Sequence, residues 1–182
     1  STKFNFVVKF LTFRVEIRET EGRKSVAYLL KDGILHIFYP AKYDLNRLQE
    51  SFFFIIKKCL RQEAKRVLPE KVAQLAKEWG FEYKSVKIQS SKTRWGSCSS
   101  TGNLNFNCLL ALFPIEVIDS VVVHELCHRK HMNHSPRFYA EIERVFPDYR
   151  CKTQYPQIIK RYAKAGGILA CDLLQTGCVD FR

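Results

Sequence analysis

The sequence predicts an α+β fold: a small antiparallel or mixed sheet packed on a helix, preceded by a β-rich N-terminal segment. Three observations predict it. The first forty residues read as antiparallel strands, because much of that stretch alternates with period 2, as half-buried strands do. Apolar residues from Leu48 to Trp79 then recur with the 3.6 period of a helix face. Strand alternation returns before two further helical patterns. The 182 residues are 46% hydrophobic and 13% aromatic, which can fill a core and excludes a disordered chain. A chain of this size buries roughly 70% of its unfolded surface. Its longest strongly apolar run, 51–56, is far short of the ~20 residues a bilayer requires, so no membrane partner is expected.

The elements follow in order. Phe13, Val15 and Ile17 alternate with Arg14, Glu16 and Arg18, and Glu21-Gly22 marks a turn. Ser25–Leu30 and Ile34–Tyr39 flank Asp32-Gly33, a strong hairpin signal, so these strands are expected to be antiparallel. Pro40 closes this part, and Asp44 is the N-cap of a long helix. Its apolar face is Leu48, Phe52, Ile55, Ile56, Cys59, Leu60, Ala64 and Val67. Pro69 is expected to break or restart that helix, which stops at Gly80. Tyr83–Gln89 and Asn103–Cys108 read as strands, and residues 90–102 as a loop. A helix opens near Pro114 and is expected to run to Met132-Asn133. Ser135-Pro136 opens another, with Phe138, Ile142 and Val145 as its buried face and Pro147 as its stop. A last helix is expected over Pro156–Ala165. The expected units are a β-rich segment over 1–43, a main domain over 44–165 and a packed tail over 166–182.

Net charge is +12. Lys57, Lys58, Arg61, Lys65 and Arg66 fall in ten residues that hold a single acid, Glu63. Such a surface either stays solvated or attracts polyanions, with weak nucleic-acid binding as the expected form. The seven cysteines are odd in number and contain no C-x-x-C, which speaks against a disulfide framework. No apolar segment follows a basic start at the N-terminus, so the expected location is cytoplasmic.

The chemistry concentrates in His124-Glu125-Leu126-Cys127-His128. Residues four apart on a helix point the same way with ~6 Å of rise, so two imidazoles there can reach one zinc. Glu125 lies ~100° round the helix, where it can hold and deprotonate a water at the metal's flank. The motif arises by chance in roughly 1% of shuffled chains of this composition. A turn at Asn133 can swing His134 back as a third ligand. Three rivals remain open. His131 sits ~10 Å along a continuous helix from His124. Cys127 points to another face, and Glu141 or Glu143 can supply a carboxylate from the next helix.

Two separated motifs add a resemblance. Lys92-Thr93-Arg94-Trp95-Gly96-Ser97-Cys98 and the strand from Asn103 precede Val121–His128 and then Asn133-His134-Ser135-Pro136-Arg137-Phe138. Together they resemble the YgjP-like metallopeptidase domain, a compact zincin similar in plan to SprT-like proteases. The likeness is detailed over 86–149, looser over 45–83, vague for the N-terminal strands and absent from the tail. It implies a zincin-like fold for 44–165 and a zinc-dependent peptidase acting on peptides or proteins. It further implies one zinc per chain on His124, His128 and His134, with Glu125 as the catalytic general base.

Substrate-binding candidates are Trp95, Asn103, Asn105 and Tyr149. Strand 103–107 is either a sheet edge that pairs with a peptide or an ordinary paired strand. Trp95 either walls the cleft or belongs to the core. Tyr149 and Arg150 follow the last active-site helix and either stabilise an oxyanion or serve packing. The competing class is a basic nucleic-acid-associated protein, either a structural zinc module or a peptidase recruited to DNA-bound proteins. A closed structural site would need a fourth protein ligand.

Overall fold

The computed structural model describes residues 7–9, 14–90, 94–113 and 115–147. Four short strands come first: β1 (Val7–Lys9), β2 (Arg14–Thr20), β3 (Ala27–Lys31) and β4 (Ile34–Pro40). A 35-residue helix α1 (Leu45–Trp79) follows, then strands β5 (Ser85–Gln89), β6 (Gly96–Cys98) and β7 (Asn103–Asn107). A 3₁₀ turn (Cys108–Leu112) leads into helices α2 (Ile115–Cys127) and α3 (Pro136–Val145). Among the described residues no helix is long and apolar enough to cross a membrane.

The first sheet has the order β1-β2-β4-β3. Asp32 and Gly33 both take positive φ, 51° and 71°, which suits the two-residue hairpin joining β3 to β4. The expected all-antiparallel arrangement is corrected in one place. β4 pairs with β2 in parallel, Val15 opposite Leu35 and Ile17 opposite Ile37, because β3 takes the outer edge. This register stacks Val15, Ile17, Leu35 and Ile37 on one buried face.

Asp44 caps α1, its carboxylate accepting from the Arg47 amide at 2.9 Å. Gly80 ends it at φ 72°, with its amide bonded to the Ala76 carbonyl. Pro69 neither breaks nor restarts the helix, contrary to the expectation. A proline in a helix interior costs about 3 kcal/mol. Leu68 and Val72 on either side of it are fully buried, and each contributes about 1.5–3 kcal/mol by leaving water. Packing therefore overrides the local signal. It also moves the core position from Val67, half-buried, to Leu68.

The second sheet has the order β5-β7-β6, with β7 central, parallel to β5 and antiparallel to β6. Leu104 and Phe106 point from β7 into the core. The segment read as a loop over 90–102 contains β6, a strand of only three residues. The buried side chains of the first sheet, α1, β7, α2 and α3 form one continuous cluster.

α2 ends at Cys127, five or six residues before the expected stop, and residues 128–130 form a turn. The Arg129 and Lys130 amides bond to the carbonyls of Leu126 and Cys127, tightening the chain there. Ser135 caps α3 by accepting from the Phe138 amide at 3.3 Å, with Pro136 in the first turn. The expected helix over 156–165 and the tail over 166–182 lie outside the described residues.

Glu141 on α3 joins the two helix ends. Its carboxylate accepts from Arg144 at 2.7 Å and from Lys130, in the turn after α2, at 2.9 Å. The Arg144 bond first, with Lys130 behind it, holds this carboxyl down at about 2 against an ordinary 4.5. A depressed carboxyl stabilises the fold in full above its ordinary value and stops doing so as pH falls through the depressed one. Urea midpoints should therefore drop between pH 4.5 and 2, and Glu141→Gln should flatten that dependence in the same titration.

A three-histidine cluster beside a buried glutamate

α2 carries His124 in its last turn, His128 opens the turn that follows on the same side, and the chain reversal before α3 returns His134 to them. The ligand atoms of these three side chains all lie within 4.8 Å of one another. His124 Nε2 and His134 Nε2 are 3.1 Å apart. Two nitrogens on one tetrahedral zinc would stand about 3.3 Å apart, given metal–nitrogen distances of about 2.0–2.1 Å. The donor set therefore suits a small divalent cation. Burial first, then the charges of His128 and His134, lowers His124 to about 3. His128 is also lowered, chiefly by burial. Both rings are thus neutral near pH 7 and offer lone pairs.

The cluster is oriented from behind. His128 Nδ1–H donates to the His131 carbonyl at 3.0 Å, which leaves its Nε2 for a metal. His131 thus contributes its backbone, and its ring is not in the cluster. Fully buried Phe138 forms the floor. Its ring centroid lies 4.9, 4.5 and 4.9 Å from those of His124, His128 and His134, and it stacks on His128 at 28°.

Glu125 faces β6. It is 6% exposed, and a Cβ on Gly96 would lie 2.8 Å from both its Cγ and its Oε1. Gly96 is therefore the residue that lets strand and carboxyl meet. Burial pushes the carboxyl up to about 8, partly offset by the charge of Arg94. A carboxyl near that value can both take and return a proton around neutrality.

Residues 13–155 match the family model for the YgjP-like metallopeptidase domain. The chain belongs to that family. The match includes the N-terminal strands from β2 onward. No curated protein matches the chain. Among solved structures it is similar to the metallopeptidase zymogen jannalysin of Methanocaldococcus jannaschii, 24% identical, with a TM-score of 0.45 over 52% of this chain and 95% of that one. It is similar also to the metallopeptidase zymogen abylysin of Pyrococcus abyssi, 23% identical, with a TM-score of 0.45 over 54% and 94%. Membership of a metallopeptidase family implies a metal and peptide or protein substrates.

The rival ligands of this family member are placed elsewhere. Glu141 is held by Lys130 and Arg144, and Glu143 is not in the cluster. Burial pushes the Cys127 thiol up to about 12.

The substrate-binding candidates scatter. β7 is central, so the expectation that strand 103–107 is a sheet edge is corrected; β6 is the outer strand. Because Leu104 and Phe106 face the core, Asn103 and Asn105 point to the other face. There Asn103 bonds Ser85 and Thr101, and Asn105 donates to Ser97. The structure does not bring either to the histidines. Trp95 is half-buried and meets Phe113 edge-on at 5.1 Å. Tyr149 and Arg150 lie outside the described residues.

In the sequence Gly96 stands only within the motif of the resemblance, and Phe138 also reads as part of a buried helix face. A glycine and an aromatic carry no chemical signature until their neighbours are known. Phe138→Ala should cost about 3–5 kcal/mol of stability and loosen all three rings together. Equilibrium unfolding and metal titration of Phe138→Leu beside Phe138→Ala should show metal affinity falling further in the alanine variant.

Proposed function

We propose that the protein is a zinc-dependent peptidase in which His124, His128 and His134 hold the metal and Glu125 is the general base. The observation that carries this reading is the convergence of three imidazoles within 4.8 Å, one residue in sequence from a buried carboxyl. Zinc on such a site supplies Lewis acidity, polarising a carbonyl and lowering the pKa of water towards ~7. The rest falls to the chain. Glu125 takes the proton of the attacking water on a carboxylate oxygen and returns it to the leaving amine. Gly96 lets Glu125 lie against β6, where bulk water is excluded. An extended peptide adds to the outer edge of β6 through main-chain hydrogen bonds, with Trp95 at the entry to that strand. The three-histidine set leaves a tetrahedral ion one open position, as hydrolysis requires.

This reading predicts one zinc per chain by elemental analysis. His134→Ala should lower zinc affinity sharply, while His131→Ala, which keeps the carbonyl bonded to His128, should leave it intact. Equal losses in both would overturn the ligand set. Glu125→Gln should keep zinc and fold but lose peptide hydrolysis, because an amide cannot accept the proton. Turnover by a zinc-loaded Glu125→Gln protein would remove Glu125 from the base role.

A second reading, weak sequence-independent binding of nucleic acid, has support of its own on α1. Lys58, Arg61 and Lys65 are exposed along one helix face with Phe54, which is 68% exposed. Lys57 is half-buried and Arg66 pairs with Glu63 at 2.8 Å, so they contribute less. Binding to duplex DNA should weaken with a log–log salt slope of about −0.9 per phosphate contact. Reversing Lys58 and Arg61 to Glu should weaken it without changing zinc content. No binding at low salt would make the charge a solubilising coat.

A further inference from the structure

The edge strand β6 and the turn that follows it are pressed against α2 and its terminal turn at two places, and both are glycines. At its start Gly96 meets Glu125. In the turn beyond its end, a Cβ on Gly102 would lie 3.0 Å from Cζ and Nε of Arg129. Gly102 has φ 91°, a conformation that favours glycine. Glu125 and Arg129 are four residues apart, so the same side of α2 and its terminal turn presents first the carboxyl and then the guanidinium to this hairpin.

Arg129 holds more than a surface pair would. Its Nε donates to the Glu82 carbonyl at 2.9 Å, in the link between α1 and β5. Its Nη1 donates to the Ser100 carbonyl at 2.9 Å, in the turn between β6 and β7. The same turn is tied to β5, since the Gly102 carbonyl accepts from the Lys84 amide at 2.8 Å. One planar fork thus ties the turn after α2 to both the α1–β5 link and the β6–β7 turn. A lysine, with a single nitrogen, cannot reproduce that geometry.

We propose that Arg129 is a positioning residue: its guanidinium fixes the edge strand β6 against Glu125 and so sets where a bound peptide bond lies relative to the base and the three histidines. The consequence for turnover rests on the peptidase reading; the mechanical part does not. Small misplacements of reacting groups cost rate more than binding, up to about 100-fold per ångström. Loss of Arg129 should therefore appear in kcat, because β6 can still pair with peptide.

Trp95, next to Gly96, provides a reporter. In a Trp79→Phe background it is the sole tryptophan of the two in the chain. Arg129→Lys and Arg129→Ala should shift Trp95 emission and lower kcat by about 10–100-fold. KM should stay within about threefold, and zinc content should not change. Lys77→Ala, an exposed basic residue on α1, is the control and should leave emission and kcat unchanged. Free guanidinium, far below unfolding concentrations, should partly restore Arg129→Ala in both readouts, whereas methylammonium should not. A merely destabilised protein would lose activity further in guanidinium. Unchanged emission and kcat in Arg129→Ala, or no restoration by guanidinium, would overturn the proposal. If the parent protein cleaves no peptide, the peptidase reading fails, and emission with guanidinium restoration still decides whether Arg129 holds β6.

Discussion

The cluster of three histidines depends on one buried ring. Phe138 lies under all of them, and its place at the start of α3 determines where the chain must return after α2. Imidazoles of like character do not attract one another, and burial beside each other lowers His124 to about 3. Their convergence has to be imposed by packing. The early end of α2, the cap at Ser135 and the Glu141 ion pairs all act to place that ring.

The carboxyl side of the site depends on a different constraint, the closeness of β6 to α2. A short strand paired on one side with β7 contributes little stability alone. Glu125 lies against its start and Arg129 bonds the turn beyond its end, with glycines where those side chains pass. Burying Glu125 this way raises its proton affinity, and the cost is carried by a larger apolar core. Long α1 supplies much of that core, running unbroken through Pro69 because the residues around it are sealed from water.

The sequence determined the chemistry and much of the local structure, since both depend on near neighbours. The caps at Asp44, Gly80 and Ser135, the Asp32-Gly33 hairpin and the spacing of His124, Glu125 and His128 are all local. His134 was legible because a turn at Asn133 leaves it few directions in which to go. Tertiary structure decided what depends on contacts between distant segments. It set the parallel pairing of β2 with β4, the central place of β7, the survival of α1 through Pro69 and the stop of α2 at Cys127. It alone set Gly96 against Glu125, Phe138 under the histidines and Arg129 against the β6–β7 turn, because the contacts of a glycine, a phenylalanine or an arginine depend on what stands opposite it. Chain-distant packing free energy, which outweighs single-residue propensities of about 1–3 kcal/mol, made each of those decisions.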